Sequence, residues 1–234
     1  MLFRSGLTEA SGATTMQPSD ASPVGTVGVP YSTVELKLAK DGEILIKGEV
    51  VFRGYYKNDA ATREAIDAEG WLHTGDLGRW EEMPGGASGR ELRIIDRKKD
   101  IMITAGGKNI TPSEIENAMR FSPFVKEAVV IADRRRFVSA LIQIEFDSVS
   151  AWAEQQGLTY TNFRSLAELP SVRELIQREV DAANARMPQV QQVRKFHLLT
   201  KELDHDDGEV TATMKVRRKS VAQKYAEVIE AIYG

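Results

Sequence analysis

Four consecutive charged residues, Arg97-Lys98-Lys99-Asp100, stand between two short apolar stretches. A continuous core strand does not carry such an interruption, because burying unpaired charge is costly. Arg93, Ile94 and Ile95 suit a strand before the charges; Ile101, Met102 and Ile103 suit one after them. The four charges therefore read as a junction between two bodies. Beyond it, Gly106-Gly107 with Lys108-Asn109 supplies a positive-φ turn. Thr111 is placed to cap a helix, with Pro112 at its first position and Glu114 completing a capping box.

The two sides of the junction differ in pattern. On the N-terminal side, Val24–Tyr56 reads as short strands and turns. Val34–Leu38 alternates with period two, Asp41-Gly42 is a hairpin turn, and Glu43–Lys47 returns. Asp59–Asp67 suits a short helix, and Gly70–Gly78 reads as a turn-rich segment with Asp76 at its centre. Pro84-Gly85-Gly86 marks a surface loop. This side is β-rich, with no obvious core of its own. On the C-terminal side, Glu127–Ala132 and Val138–Phe146 are apolar strands joined by Asp133-Arg134-Arg135-Arg136. Ser148 is placed to cap a helix ended by Gly157, and Ser171 with Glu174 forms a second capping box. Val172, Leu175, Ile176 and Ala183 recur at helical spacing. Val193–Leu199 is a further strand, Asp204–Gly208 a loop, and Val221, Tyr225, Val228, Ile229 and Ile232 one stripe of a last helix. The expected class is α+β.

Composition narrows the function classes. The 234 residues are 42% hydrophobic and 28% charged, with a formal net charge of -3, so a dedicated nucleic-acid binder is not expected. There is no cysteine, hence no thiolate metal site or Cys nucleophile, and His73, His197 and His205 are too scattered for zinc. No apolar run is long enough to span a bilayer, and Met1-Leu2-Phe3-Arg4-Ser5 does not open a signal peptide. A cytoplasmic location is the default expectation, compatible with peripheral membrane contact. Met1–Ser5 reads as a cloning or sequencing scar ahead of Gly6.

Taken singly, the polar residues admit plain readings. Asp76, after Thr74-Gly75, suits a turn acid as well as a carboxylate accepting from a ribose diol. Arg97 suits a solvated strand end, and Lys99 beside Asp100 a surface pair worth roughly 0–1 kcal/mol. Lys215 sits in a run, Lys215-Val216-Arg217-Arg218-Lys219, that reads as a basic face at the start of the last helix. Cations there oppose the helix dipole, which favours an anionic partner.

Order and wording together say more. Gly6-Leu7-Thr8-Glu9 is followed by Gly42–Gly48 with Gly54-Tyr55-Tyr56, then Gly70–Asp76, then Asp96–Asp100 with Gly106–Ile110, and last Thr211-Ala212-Thr213-Met214-Lys215. This succession resembles the motifs of the AMP-forming acyl-CoA synthetases. Thr104–Pro112 and the long Phe146–Leu199 segment look most like the long-chain fatty-acid branch. The resemblance implies a β-rich remnant of a large AMP-binding domain (residues 1-98), followed by a small mobile α+β domain with a short sheet flanked by helices (99-234). It implies that the chain is the C-terminal portion of a long-chain fatty-acid–CoA ligase. Such an enzyme converts a carboxylate and ATP to acyl-AMP, then to the CoA thioester. This portion alone is expected to be inactive.

By the same resemblance, Thr8 would contact the α-phosphate of ATP or AMP and Glu9 would hold Mg²⁺. Asp76 and Arg97 would bind the ribose, Lys99 would be the hinge, and Gly106, Gly107 and Lys108 would line the CoA arm. Lys215 would be the catalytic lysine of adenylation. The family's phosphate loop has no counterpart here, its aromatic before Gly6 is Ser5, and Ala212 replaces a common proline. Two alternatives stand beside this reading: a fatty acyl-AMP ligase feeding a carrier protein, and a non-catalytic nucleotide- or CoA-binding module.

Overall fold

The computed structural model describes residues 4–18, 22–23, 25–82 and 89–234. The chain divides into two units, Met1–Asp100 and Ile101–Gly234. The expected Pro84–Gly86 loop and most of the proposed scar, Met1–Phe3, lie outside the described residues.

In the first unit, β1 (Arg4–Leu7), β2 (Gly12–Met16) and β3 (Val29–Pro30) form a small antiparallel sheet. A second antiparallel sheet runs in order β4 (Glu35–Leu38), β5 (Glu43–Lys47), β6 (Leu72–Glu82) and β7 (Arg90–Arg97). Asp41 accepts the Glu43 N–H in the β4–β5 turn, where Gly42 adopts a φ of 87°, as the Asp-Gly signal predicts. Helix α1 (Asp59–Ala65) is capped by Asn58, which accepts the Ala61 N–H at 3.1 Å.

Two expectations for this unit are overturned. Gly70–Gly78 is not a run of turns, because most of it belongs to the eleven-residue strand β6. Gly75 and Gly78 lie within the strand, with a bulge in the β6–β7 pairing at Leu77/Gly78. Nor does the unit lack a core. Ala10, Val34, Ile44, Ile46, Leu72 and Leu92 cluster, with Phe52, Trp80 and Ile94 packed on them. One of its buried acids, Glu91, accepts from Ser22 at 2.7 Å and Thr26 at 2.5 Å.

The second unit opens with a two-stranded ribbon, β8 (Met102–Ile103) and β9 (Asn109–Ile110), and helix α2 (Pro112–Arg120). Thr111 precedes Pro112 as expected, yet its side chain caps no N–H, so the capping box is absent and the helix start rests on proline at its first turn. The main sheet has the order β10 (Val125–Ile131), β11 (Val138–Ile144), β12 (Val193–Leu198), with β12 parallel to β11. Between β11 and β12 run α3 (Phe146–Gln155), α4 (Phe163–Ala167) and α5 (Pro170–Asn184).

All seven residues of β11 are buried, because both faces of the sheet are covered. Val130, Ala140 and Ile142 pack with Ile115, Met119, Val149, Val172 and Ile176. Val129, Ile131 and Leu141 pack with Val221, Ile229 and Ile232. Each fully buried Ile or Leu contributes about 1.5–3 kcal/mol, so this double layer is the main source of the unit's stability.

The helix boundaries differ from expectation. Ser148 and Ser171 lie inside α3 and α5, whose first residues are Phe146 and Pro170. The capping box that does form is Asn162 with Ser165, at the start of α4. The last stripe is two helices, α6 (Arg218–Lys224) and α7 (Ala226–Tyr233), divided at Tyr225. The Tyr225 hydroxyl donates to Glu209, a partner outside the stripe.

Candidate functional site

In the first unit a cavity of about 440 Å³ is lined by Glu9, Tyr55, His73, Gly75, Asp76, Arg97, Lys98 and Lys99, among others. Strand pairing builds most of it. Asp76 on β6 stands opposite Arg97 on β7, and Arg97 Nε lies 3.4 Å from Asp76 Oδ1. The Thr74 hydroxyl donates to the Ile44 carbonyl at 2.8 Å and accepts the Asp76 N–H at 3.1 Å. Gly75 between them has a φ of 71°, a conformation that favours glycine. Burial pushes the Asp76 carboxyl above its ordinary value, against the pull of Arg97. Asp76 is thus a partly desolvated acceptor held beside a cation, suited to a hydroxyl-rich ligand.

Beneath this wall lies an acid that sequence reasoning left without a role. Glu43, on β5, is buried and accepts the Gly75 N–H at 3.1 Å, Lys98 Nζ at 3.0 Å and a contact from His73 Nδ1 at 3.3 Å. Burial alone would raise its pKa, but the bonds from Lys98, His73 and Gly75 bring it below the ordinary value. Lys98 also reaches Asp41 at 2.6 Å. The Gly42–Gly48 motif contained this residue; its partners, 30 and 55 positions away, did not show in any local pattern.

Glu9 lies in the 3-10 turn Thr8–Ala10 and accepts from the Tyr55 hydroxyl at 3.0 Å. That hydrogen bond raises the Tyr55 phenol above its ordinary value. Tyr55 packs edge-on against Phe52, whose N–H donates to the Glu9 carbonyl at 2.8 Å. Thr8, though adjacent, lines a separate concavity with Gly6, Ser11 and Gly12. Among the described residues no group of three or more His, Cys, Asp or Glu side chains could hold a metal ion. Glu9 fits Mg²⁺ as a single carboxylate, for an ion that takes its other ligands from phosphate and water.

Of the remaining expected residues, Lys99 stands near the end of the first unit and the others lie in the second. Lys99 is exposed in the 3-10 turn Lys98–Asp100. Gly106, Gly107 and Lys108 form the turn of the β8–β9 ribbon, closed by Thr104, whose hydroxyl accepts the Lys108 N–H at 3.1 Å. Gly107 has a φ of 72°, and a Cβ placed there would meet nothing within 4 Å, so the turn presents open backbone. Lys215 is exposed on the loop before α6, not on the helix face expected of it, and among the described residues its ammonium has no ion-pair partner. The structure therefore gathers Glu9, Asp76, Arg97 and Lys99 at one cavity and places the glycine turn and Lys215 on the second unit. Among the described residues no helix is long and apolar enough to cross a membrane.

Comparison with known proteins gives this geometry a setting. A protein-family model described as the AMP-binding enzyme C-terminal domain matches residues 99–234. A long-chain-fatty-acid–CoA ligase, FadD15, of Mycobacterium bovis is 40% identical over 230 residues, 98% of this chain and 37% of that protein. The chain thus spans little more than a third of the length of that relative. The adenylation domain of a carboxylate reductase from Mycobacterium chelonae superposes with a TM-score of 0.76 at 25% identity, covering 100% of this chain and 34% of that one. The O-succinylbenzoate CoA synthetase of Bacillus subtilis, solved with AMP, matches with a TM-score of 0.66 at 24% identity, over 93% of this chain and 40% of its own, a likeness of fold.

Proposed function

The chain belongs to the AMP-binding enzyme C-terminal domain family, and from that premise we propose that it is the C-terminal portion of an AMP-forming long-chain fatty-acid–CoA ligase. The observation that carries this reading is the 40% identity to a long-chain ligase along 98% of the chain. The cavity supports its nucleotide side. Asp76 accepts from the ribose hydroxyls of ATP or AMP, with Arg97 fixing the carboxylate. Glu9 offers one oxygen ligand to Mg²⁺, which would screen the phosphates when bound; Thr8, which lines the neighbouring concavity and not this cavity, is assigned to the α-phosphate by the family resemblance alone.

In the first half-reaction the fatty carboxylate attacks the α-phosphorus, the bond to the leaving pyrophosphate breaks, and acyl-AMP forms. Two anions approach one another, so the free ammonium of Lys215 is suited to bridge them, positioning both and offsetting charge on the phosphate oxygens. In the second, the CoA thiol displaces AMP from the acyl carbon and loses its proton, leaving the thioester. The open backbone at Gly106 and Gly107, with Lys108 beside it, admits the pantetheine arm closely. Lys99 is the pivot that exchanges Lys215 for the glycine turn between the steps.

The test is product analysis of a full-length ligase carrying this chain. Fatty acid, ATP and CoA should yield acyl-CoA and AMP. Acyl-adenylate passed only to a carrier protein, whatever the CoA supply, would instead establish the acyl-AMP ligase. Calorimetric titration of the chain itself with AMP and with CoA separates both from a structural role, which predicts no binding of either.

A further inference from the structure

In the Ile101–Gly234 unit another buried carboxylate sits at the root of the loop that bears Lys215. Glu209 is 0% exposed. Its side chain accepts from Lys201 Nζ at 2.8 Å, the Asp204 N–H at 2.9 Å, Lys224 Nζ at 3.0 Å and the Tyr225 hydroxyl at 3.1 Å. Asp207 joins the same two lysines, so two carboxylates balance two ammoniums. The backbone of Glu209 is equally committed, its N–H to the Asp204 carbonyl and its carbonyl to the Arg217 N–H at 2.8 Å.

From that root the chain makes a closed hairpin. Val210 and Val216 bridge as an antiparallel pair. Thr211 N–H donates to the Lys215 carbonyl at 2.8 Å, and the Lys215 N–H donates to the Thr211 hydroxyl at 3.1 Å. Met214 turns the tip at a φ of 60°, with 66% of its surface exposed. Glu209 therefore ties the segment after β12, the root of the hairpin and the end of α6 to one point. The backbone of Lys215 is fixed while its side chain stays free.

We propose that Glu209 is the positioning residue that holds Lys215 in place for acyl-adenylate formation. This rests on the reading of Lys215 given above. A lysine on a loose loop must order both its backbone and its long side chain in the transition state, each at an entropic cost. A braced hairpin removes the backbone share, and a misplacement of about 1 Å at such a group costs as much as 100-fold in rate.

Glu209→Gln turns a charged acceptor into an amide facing two ammoniums. In a full-length ligase carrying this chain, ATP–pyrophosphate exchange should fall about 10- to 100-fold, while thioester formation from supplied acyl-adenylate changes less than about twofold. In the variant of this chain, amides of Val210–Val216 should exchange faster with solvent while those of β10–β12 keep their protection. Equal loss in both half-reactions, or unchanged exchange of pyrophosphate, overturns the proposal. If Glu209→Gln does not fold, Tyr225→Phe removes one of the four donors and should give a selective loss of about fivefold; an unselective loss, or none, overturns the proposal. Lys215→Ala separates the two claims. Adenylation that survives it overturns the reading of Lys215 itself; adenylation lost there but intact in Glu209→Gln overturns the positioning role alone.

Discussion

Asp76 and Arg97 face each other across two paired strands, each the other's partner, whereas Lys215 stands on a short hairpin with its ammonium unpaired among the described residues. The first arrangement is set by register. Once β6 and β7 pair, the carboxylate and the guanidinium are brought side by side, and the Glu43 contacts with Gly75 and Lys98 hold the same strand ends from beneath. The second is set by a brace at the root of a loop, with the working end left free. On the proposed roles, a group that would hold the nucleotide throughout suits a strand ladder, and a group that would act in one step of two suits a fixed backbone with an exposed tip.

The comparison breaks first at Lys215. In a full-length ligase, Lys215→Ala should cut adenylation about 100- to 1000-fold, the loss typical of one electrostatic stabiliser, and leave thioester formation from supplied acyl-adenylate nearly unchanged. Stopped-flow or radiometric assays of the two half-reactions decide it, and equal losses count against a one-step role. Next comes the scaffold of that side. Ile142→Ala, in the strand buried on both faces, should destabilise the second unit by about 2–5 kcal/mol, read as an earlier thermal transition; a fully unchanged transition would show that the double layer matters less than its burial suggests.

Asp76→Asn should weaken AMP binding to the chain by about 10- to 100-fold, as expected for hydrogen bonds to a charged acceptor, and titration calorimetry measures it. Unaltered affinity would place the ribose elsewhere. The mildest effect is one of pH. Glu43 is held below its ordinary value of 4.5, so its contribution to stability is complete above that value and is lost as the pH falls through the lower folded value. Melting curves of the chain should therefore show an acid-side loss that Glu43→Gln reduces. An identical acid profile in the variant would assign the loss to other carboxylates.

Much of the fold was legible where the signal is local. Asp41-Gly42 marked its hairpin, and Val172, Leu175 and Ile176 marked the buried face of α5. Helix starts were misplaced at Ser148 and Ser171, where the helices instead begin one or two residues earlier, at Phe146 and at Pro170. The length of β6 was hidden because Gly70, Gly75 and Gly78 look like punctuation until β5 and β7 pair with the strand between them. The division of the last helix was hidden for a like reason: at the break Tyr225 bonds Glu209, sixteen residues away, outside any local pattern. In the site, the residues proposed to touch ligand all stood in motifs of the sequence. Those that hold them, Glu43, Lys98 and Glu209, were not singled out, because support comes from contacts that no window of sequence contains.

The parallel pairing of β12 with β11 has a consequence for the chain as it is made. Residues 145–192 must be synthesised before β12 can appear. At a ribosomal pace of about 5–20 residues per second, the β10–β11 hairpin waits roughly 2–10 seconds with one apolar edge unpaired. During that interval the nascent strand is open to the wrong neighbour, a second ribosome's product included.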